Sequence, residues 1–310
     1  MDDVPSLAVV IVTFNSADVL GDCLRSVTLS RGVHVADVVV ADNASKDGSV
    51  AIAQAATDLP IQVVQTGRNA GYAAAINAGI AALDTRKLRA VFVMNPDCRL
   101  RPDTLHLLAN ALRQPGRGIV APRLVNPDGS LQPSLRRAPT VPGALAEAVL
   151  GGNLAGRIGL GELVFDEHSH SRPGPAAWST GAAMFLSTEA IRDLGPWDES
   201  FLLYSEETEY ALRAADRGWT LWYEPAAVVE HIGGDSGTNP ALSALLVANK
   251  VRLFRQRRGR VASGGYFLAV VFGEGVRALA GRRTSRASVA ALVRRGRRDQ
   301  IMRAIAGEKS

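Results

Sequence analysis

Cysteine is nearly absent: the 310 residues contain two, Cys23 and Cys98, far apart and without metal-ligand spacing. That excludes a disulfide scaffold and a zinc-finger-like site, and it reads as two buried thiols in a reducing compartment. Long apolar runs are absent too. The best stretch, Gly264 to Gly281, is broken by Glu274 and Arg277, short of the ~18 unbroken residues a spanning helix needs. The first apolar run, Leu7 to Val12, is too short for a signal peptide. No GxGxxG or GxxxxGK[ST] loop occurs, which removes the dinucleotide-binding and P-loop readings. Low-complexity blocks are missing, so most of the chain is expected to be globular.

What is present is a chain 47% apolar and 21% charged, long enough for one large domain or two. The net charge of +5 is unevenly spread: residues 252–298 hold 13 arginines and one acid, Glu274, giving +12. Residues 299–310 add two charges of each sign, which leaves −7 for residues 1–251. An acidic body carries a basic tail.

Over the first 125 residues strands alternate with helices. Leu7 to Thr13, Val35 to Ala41, Ile61 to Gln65 and Ala90 to Met94 read as strands, the first continuously apolar as a strand buried on both faces would be. Helices are expected after Ser16, after Asp47-Gly48-Ser49, after Gly71 and from Pro102, read as the first helical residue. Such alternation implies a parallel sheet with right-handed crossovers. Residues 126–175, rich in Pro, Gly and Arg, read as long loops around a short helix from Pro142 to Leu150. Ser187 caps a short helix, and Ser205 is read as the N-cap of a helix through Arg217. Trp219 to Val229 reads as strands with a turn at Glu224-Pro225, and the pattern is helical from Asn239 onward.

The four strand ends carry polar groups: Thr13 and Asn15, Asp42, Arg68 and Asn69, then Asn95 and Asp97. In a parallel sheet these ends share one edge, where open α/β sheets bind ligands. Any one of them is ordinarily a turn residue, and Asn95-Pro96-Asp97 is a good turn; four together favour a ligand site. Asp97 also aims a hard oxygen ligand out of that edge. Further on, Glu206 and Glu207 sit in the first turn of a helix, where acids also serve the helix dipole.

Taken as an ordered set, VTFN, VVVADNASKDGS, GRNAGYAAAINAGI and VFVMNPDCRL resemble family 2 glycosyltransferases of the GT-A fold. The later segment from Ser179 to Gly234 is similar to the same family, and NPD in place of D-x-D to its bacterial rhamnosyltransferase branch. The resemblance covers residues 7 to about 260. It implies an α/β, Rossmann-like, mostly parallel sheet flanked by helices, with a catalytic domain over 1–238 and a helical, basic C-terminal region over 239–310. It implies a nucleotide diphosphate sugar donor, dTDP-rhamnose as the best match, with Mg²⁺ or Mn²⁺ neutralising the diphosphate. Asp97 is then the first metal ligand and His231 the second, while Asn95 contacts sugar or phosphate. Asp42 hydrogen-bonds the nucleobase, Thr13 and Asn15 line its pocket, Arg68 pairs with phosphate, and Asn69 belongs to the donor site. Glu207 takes the proton from the acceptor hydroxyl, standing where aspartate is usual, and Glu206 supports it. Helix dipole and metal are expected to keep Glu207 ionised. Trp178, Gly181, Trp197 and Asp198 lie under donor and acceptor.

The implied reaction is a single inverting displacement onto a polyprenyl-diphosphate-linked saccharide in cell-envelope synthesis. A galactofuranosyl, mannosyl or N-acetylglucosaminyl donor stays open, as does a catalytically silent binding protein. The basic tail, an apolar segment among arginines, fits an anionic membrane better than nucleic acid, since it has few aromatics for base stacking. The expected location is cytoplasmic, peripheral at the inner face of the plasma membrane. The sequence leaves a homo-oligomer open.

Overall fold

A computed structural model describes residues 4–233, 239–294 and 296–307. The first half follows the alternation: β1 (Ser6–Thr13), α1 (Ala17–Thr28), β2 (His34–Asp42), α2 (Ser49–Ala55), β3 (Ile61–Gln65), α3 (Tyr72–Ala81) and β4 (Ala90–Met94). These four strands pair in parallel, in the order β3-β2-β1-β4. Their side chains alternate between two apolar layers. Leu7, Val9 and Ile11 join one layer with α1 and α4 (Thr104–Leu112), while Val10 and Val12 join the other with α3. Both faces of β1 and β4 are covered, which is why those runs read as continuously apolar, whereas β3 at the end of the sheet is only partly buried.

Between β4 and α4 lies β5 (Cys98–Leu100), and after α4 comes β6 (Arg117–Val125). The residues of NPDCRL are thus a turn followed by an edge strand, and β5 pairs antiparallel with the far end of the sheet. The helix from Pro102 is a correction. Pro102 and Asp103 form a turn closed by Thr104 N–H to the Arg101 carbonyl, Asp103 is the N-cap, and Pro102 offers its carbonyl to Arg31 N–H at 2.8 Å.

Residues 126–175 hold more structure than the composition suggests: β7 (Leu135–Arg136), α5 (Val141–Leu150), α6 (Gly152–Arg157), α7 (Glu167–Ser171) and β8 (Gly174–Ala176). Then follow β9 (Trp178–Ser179), β10 (Ala183–Ser187), α8 (Thr188–Leu194), a 3₁₀ turn Glu199–Phe201, α9 (Glu206–Asp216) and β11 (Thr220–His231). The sheet is completed in the order β4-β10-β6-β11-β5, with β8 also on β11. β10 enters antiparallel between β4 and β6, so the sheet is mixed and mostly parallel. The turn expected at Glu224-Pro225 is instead an irregularity within one strand, between Glu224 and Val228. Phe92 of β4 and Phe185 of β10 meet 6.1 Å apart at this junction, and truncating either to alanine should cost about 3–5 kcal/mol.

The C-terminal part is α10 (Pro240–Arg257), α11 (Arg260–Leu279), α12 (Arg283–Val293) and α13 (Arg297–Ala306). Asn239 caps α10 by accepting from the N–H groups of Ala241 and Leu242. These helices share apolar clusters with Leu202 and with Ala144 of α5. The expected boundary at 238/239 touches residues 234–238, which lie outside the described residues.

Candidate active site

The strand ends do converge on one edge, and the first two are tied together. Asp42, 1% exposed, accepts from the Thr13 hydroxyl at 2.9 Å, from the Ser45 hydroxyl, and from Ser45 N–H at 2.9 Å. Asn15, at φ 51°, accepts from Lys46 N–H at 2.8 Å and donates its own N–H to Ser45 Oγ at 2.8 Å. Asp47 accepts from Ala17 N–H and so caps α1 in place of Ser16, whose side chain accepts from Phe14 instead. Ser45 and Asp47 are the residues that sequence reasoning missed here; short polar side chains after Asp42-Asn43 were the available signal. Arg68 is exposed on the loop after β3. Asn69 donates to the carbonyl of Ile305 in α13 at 3.2 Å, which makes it a tie between that loop and the C-terminal helices.

At the end of β4, Asn95 Nδ2 lies 3.5 Å from His231 Nε2, and Asp97 Oδ1 lies 3.4 Å from the same nitrogen. Asp97 Oδ1 is buried without a hydrogen-bond partner. Burial favours protonation of Asp97, yet His231 and backbone N–H groups outweigh it and hold the carboxyl below the usual range. His231 is oriented from behind. Its Nδ1 meets Gln132 Oε1 at 2.6 Å, and Gln132 Nε2 donates to Asn126 Oδ1 at 3.1 Å. The Gln132 oxygen holds a proton on Nδ1 and turns Nε2 toward Asp97, as an orienting partner does for a metal-bound histidine. Nothing in the sequence marked Gln132. Cys98 completes a group with Asp97 and His231 whose ligand atoms lie within 4.8 Å of one another. Its thiol points to the Ala182 carbonyl at 3.3 Å, and burial pushes its pKa well above the ordinary range. A thiol is a soft ligand, so the oxygen and nitrogen pair of Asp97 and His231 is the part of the group better suited to Mg²⁺ or Mn²⁺.

The two glutamates enter the same cavity, about 580 Å³, whose walls include Asn95, Trp178, Gly181, Glu206, Glu207 and His231. Each glutamate keeps a buried Oε2 without a partner. Burial and the charge of Glu207 push the Glu206 carboxyl well above its ordinary value. Burial raises Glu207 as well, opposed by backbone N–H groups and by Arg136. Desolvation thus outweighs the helix N-terminus, contrary to the expectation of an easily ionised base. Glu206 is the member that holds a proton longest, and Glu207, beside Arg136, the first to lose one.

Gly181 lies under this pair: a Cβ there would come within 3.3 Å of Glu207 Cβ, and Tyr72 donates to the Gly181 carbonyl at 2.7 Å. Trp178 packs under Arg136, whose guanidinium is 5.8 Å from the ring centre. Arg136 and Tyr72 are further residues missed from the sequence.

The segment before the glutamates is conformationally strained. Leu202, Tyr204 and Ser205 have φ of 63°, 69° and 78° with no glycine among them, each costing roughly 1–3 kcal/mol. Ser205 is therefore left-handed and makes no side-chain cap, a correction to its reading as an N-cap. Asn249 of α10, fully buried, donates to the carbonyls of Phe201 (2.8 Å), Leu203 (2.8 Å) and Tyr204 (3.2 Å). Its own oxygen accepts from Arg298 Nε at 2.7 Å. Gly71 meets the same segment so closely that a Cβ would lie 2.2 Å from the Leu202 carbonyl oxygen.

Two expected contacts are corrected. Trp197 is 2% exposed and stacks on Tyr210 at 4.4 Å, in the core beneath α9. Asp198 accepts from Ser200 N–H and caps the 3₁₀ turn. Neither lines the cavity.

The profile described as "Glycosyl transferase family 2" matches residues 8–169, and one described as "Glycosyl transferase family group 2" matches residues 158–293. The chain belongs to glycosyltransferase family 2. Within the family this glycosyltransferase lies in the rhamnosyltransferase-like branch. It is 32% identical to the N-acetylglucosaminyl-diphospho-decaprenol L-rhamnosyltransferase of Mycobacterium tuberculosis over 247 residues, 76% of this chain and 79% of that protein. It is 28% identical over 67% of its length to the low-salt glycan biosynthesis hexosyltransferase Agl10 of Haloferax volcanii, covering 61% of that protein. Among solved structures it resembles the Pyrobaculum calidifontis mannosyltransferase PcManGT in complex with GDP-Man and Mn²⁺. That likeness has a TM-score of 0.56 at 18% identity and covers 98% of this chain and 85% of the other. It fixes the fold of this glycosyltransferase as GT-A.

Proposed function

We propose that this glycosyltransferase moves L-rhamnose from dTDP-rhamnose to a polyprenyl-diphosphate-linked saccharide, inverting the anomeric carbon. The observation that carries the reading is the single cavity that joins Asn95 and His231 to Glu206 and Glu207, with the unpaired Asp97 oxygen beside His231. The likeness to the mycobacterial rhamnosyltransferase supports both the sugar and the lipid-linked acceptor.

Asp97 and His231 would hold Mg²⁺ or Mn²⁺. When bound, the ion neutralises charge on the diphosphate leaving group. Asp42, with one lone pair uncommitted, faces the nucleobase, and Thr13 and Asn15 shape that pocket. Arg68 pairs with phosphate; Asn69 holds its loop in place. Asn95 contacts the sugar or its phosphate. Glu207 accepts the proton of the acceptor hydroxyl as that oxygen forms its bond to the anomeric carbon. The bond from that carbon to the diphosphate breaks in the same step, and the nucleoside diphosphate leaves with the electron pair. Glu206, carrying a proton, supports Glu207 without competing for the acceptor's. Trp178 and Gly181 floor the sugar site.

The chain is proposed to divide into a catalytic domain over 1–238 and a helical region over 239–310, and to work at the cytoplasmic face of the plasma membrane. The test is thermal stabilisation of the purified chain by dTDP, UDP, GDP and their sugars, with and without Mn²⁺. Metal-dependent stabilisation by dTDP and dTDP-rhamnose, lost in Asp97→Ala, supports the reading. Stabilisation by UDP or GDP alone overturns the donor.

A further inference from the structure

The arginines of the tail are not all free to meet a membrane. Arg257 pairs with Asp216 at 2.8 Å, Arg277 with Glu274 at 2.8 Å, and Arg298 with Asn249 and the Ser200 carbonyl. What the tail presents instead is an apolar helix face. On α11, Leu268, Phe272, Val276 and Leu279 are exposed by 65, 55, 48 and 90%. Steps of 100° per residue put them within about 80° of one another along one stripe.

The stripe does not stand alone. α11 packs on α5 with Gly265 against Val141 and Gly273 against Ala148, so the two helices run parallel. The residues one position before this seam on α11, Leu268 and Phe272, fall on the same side as those one position after it on α5. Those are Leu145 and Val149, 53 and 66% exposed. Two neighbouring helices thus offer one continuous apolar face. Exposed arginines bracket it, Arg258 before α11 and Arg260 at its first residue, with Arg282 and Arg283 after it. The one acid on α11, Glu274, is neutralised by Arg277. Among the described residues no helix is long and apolar enough to cross a membrane.

We propose that the α5–α11 face is the surface on which this protein lies on an anionic phospholipid bilayer, α11 in the plane of the interface. The apolar stripe supplies the burial and the bracketing arginines match the headgroup charge. The face also leads somewhere. A cavity of about 340 Å³ beside α5, lined by Pro142, Ala146, Leu160, Lys250 and Tyr266, shares Pro139, Glu162 and Lys250 with the cavity of the two glutamates. A lipid carrier lying in the membrane would therefore meet the catalytic side of the protein, a point that rests on the proposed acceptor; the docking surface itself does not.

The full chain should float with vesicles containing phosphatidylglycerol and bind pure phosphatidylcholine about tenfold less. Leu268→Ser combined with Phe272→Ser should lower binding to the anionic vesicles about tenfold or more, while metal-dependent stabilisation by nucleotide is unchanged. That readout reports the fold and the donor site independently of the membrane. Phe272→Trp should gain fluorescence that brominated phosphatidylglycerol quenches, and it serves where the serine variants fail to fold. No flotation of the wild type, unaltered binding of the serine variants, or added fluorescence that bromine leaves untouched overturns the proposal. So does a wild-type dimer that the serine variants convert to monomer without vesicles, which would make the face a contact between copies.

Discussion

At the carboxyl ends of β1 and β2, the Asp42 carboxylate accepts from Thr13 and twice from Ser45, while Asn15 pins the following loop through Lys46. Some strands away, Asp97, Glu206 and Glu207 each keep a buried oxygen with no partner among the described residues. Leaving a buried acceptor unpaired costs about 1–3 kcal/mol, more when it is charged. One side of the site is finished by the protein before any ligand arrives, as a surface that selects by shape should be. The other is left for something else to complete: on the proposed function, an ion at Asp97 and a proton in transit at Glu207. On that reading, the pattern of unmet hydrogen bonds separates recognition from chemistry more cleanly than residue type does, since aspartate stands on both sides.

The largest effect that could break this contrast is Glu207→Gln. The amide keeps the shape and removes the proton acceptor, so turnover should fall by about 100- to 10,000-fold with thermal stability unchanged or raised. Turnover within twofold of wild type, measured with donor and acceptor saturating, would return Glu207 to an ordinary helix-start acid.

Two supporting residues sharpen the contrast next. Gln132→Leu frees the His231 ring that Gln132 Oε1 orients at 2.6 Å, and should weaken Mn²⁺ by about 10- to 100-fold in a calorimetric titration. A titration that does not move would mean the ring is held by packing alone. Asn249→Leu removes the donor to three carbonyls of the strained segment and should cost about 3 kcal/mol in denaturant unfolding. Because that segment runs directly into α9, which carries Glu207, kcat should fall by a larger factor than the donor KM rises. A rise in donor KM alone, with kcat unchanged, would place the segment on the donor side.

The regular half of the fold was legible because its signals are local. Ile61 to Gln65 and Ala90 to Met94 read from their apolar runs coincide with β3 and β4. The misreadings share a cause. β10 enters antiparallel between β4 and β6 from far along the chain, and β5 pairs with β11 across more than a hundred residues. Ser205 has the residue type of a cap, but Asn249, more than forty residues later, holds the preceding segment in a left-handed path that local rules disfavour. Family motifs placed the polar strand ends and the glutamates near one another. They could not say that Trp197 and Asp198 would be spent on packing and capping, because a motif records position along the chain and not which face is buried.

The pH response should follow the unpaired side. Glu207 faces Glu206, Arg136 and the buried Tyr72, and its carboxyl is raised, chiefly by burial. A base with a raised pKa is protonated sooner on acidification, so the acid limb of kcat should lie above the ordinary glutamate value of about 4.3. Stability should move the other way. A carboxyl raised in the folded state is stabilising while protonated, below its unfolded pKa, and loses that contribution as pH rises through its folded pKa. Glu206, raised further, should dominate, and Glu206→Gln should flatten the decline of melting temperature with rising pH. An unchanged slope would show that the pair is solvated and not desolvated.

The smallest effect belongs to the finished side. Ser45→Ala removes the hydroxyl that donates to Asp42 and accepts from Asn15 N–H at 2.8 Å. Asp42 keeps Thr13 and the Ser45 backbone N–H, so the carboxylate is not orphaned and the loss should be about 1 kcal/mol. Nucleotide binding should weaken only a few-fold, because a pre-tied pocket loses one tie among several, and kcat should not change at all. A large drop in kcat from this substitution would mean that the donor edge is completed by ligand just as the catalytic side is, and the division between a finished and an unfinished half would fall.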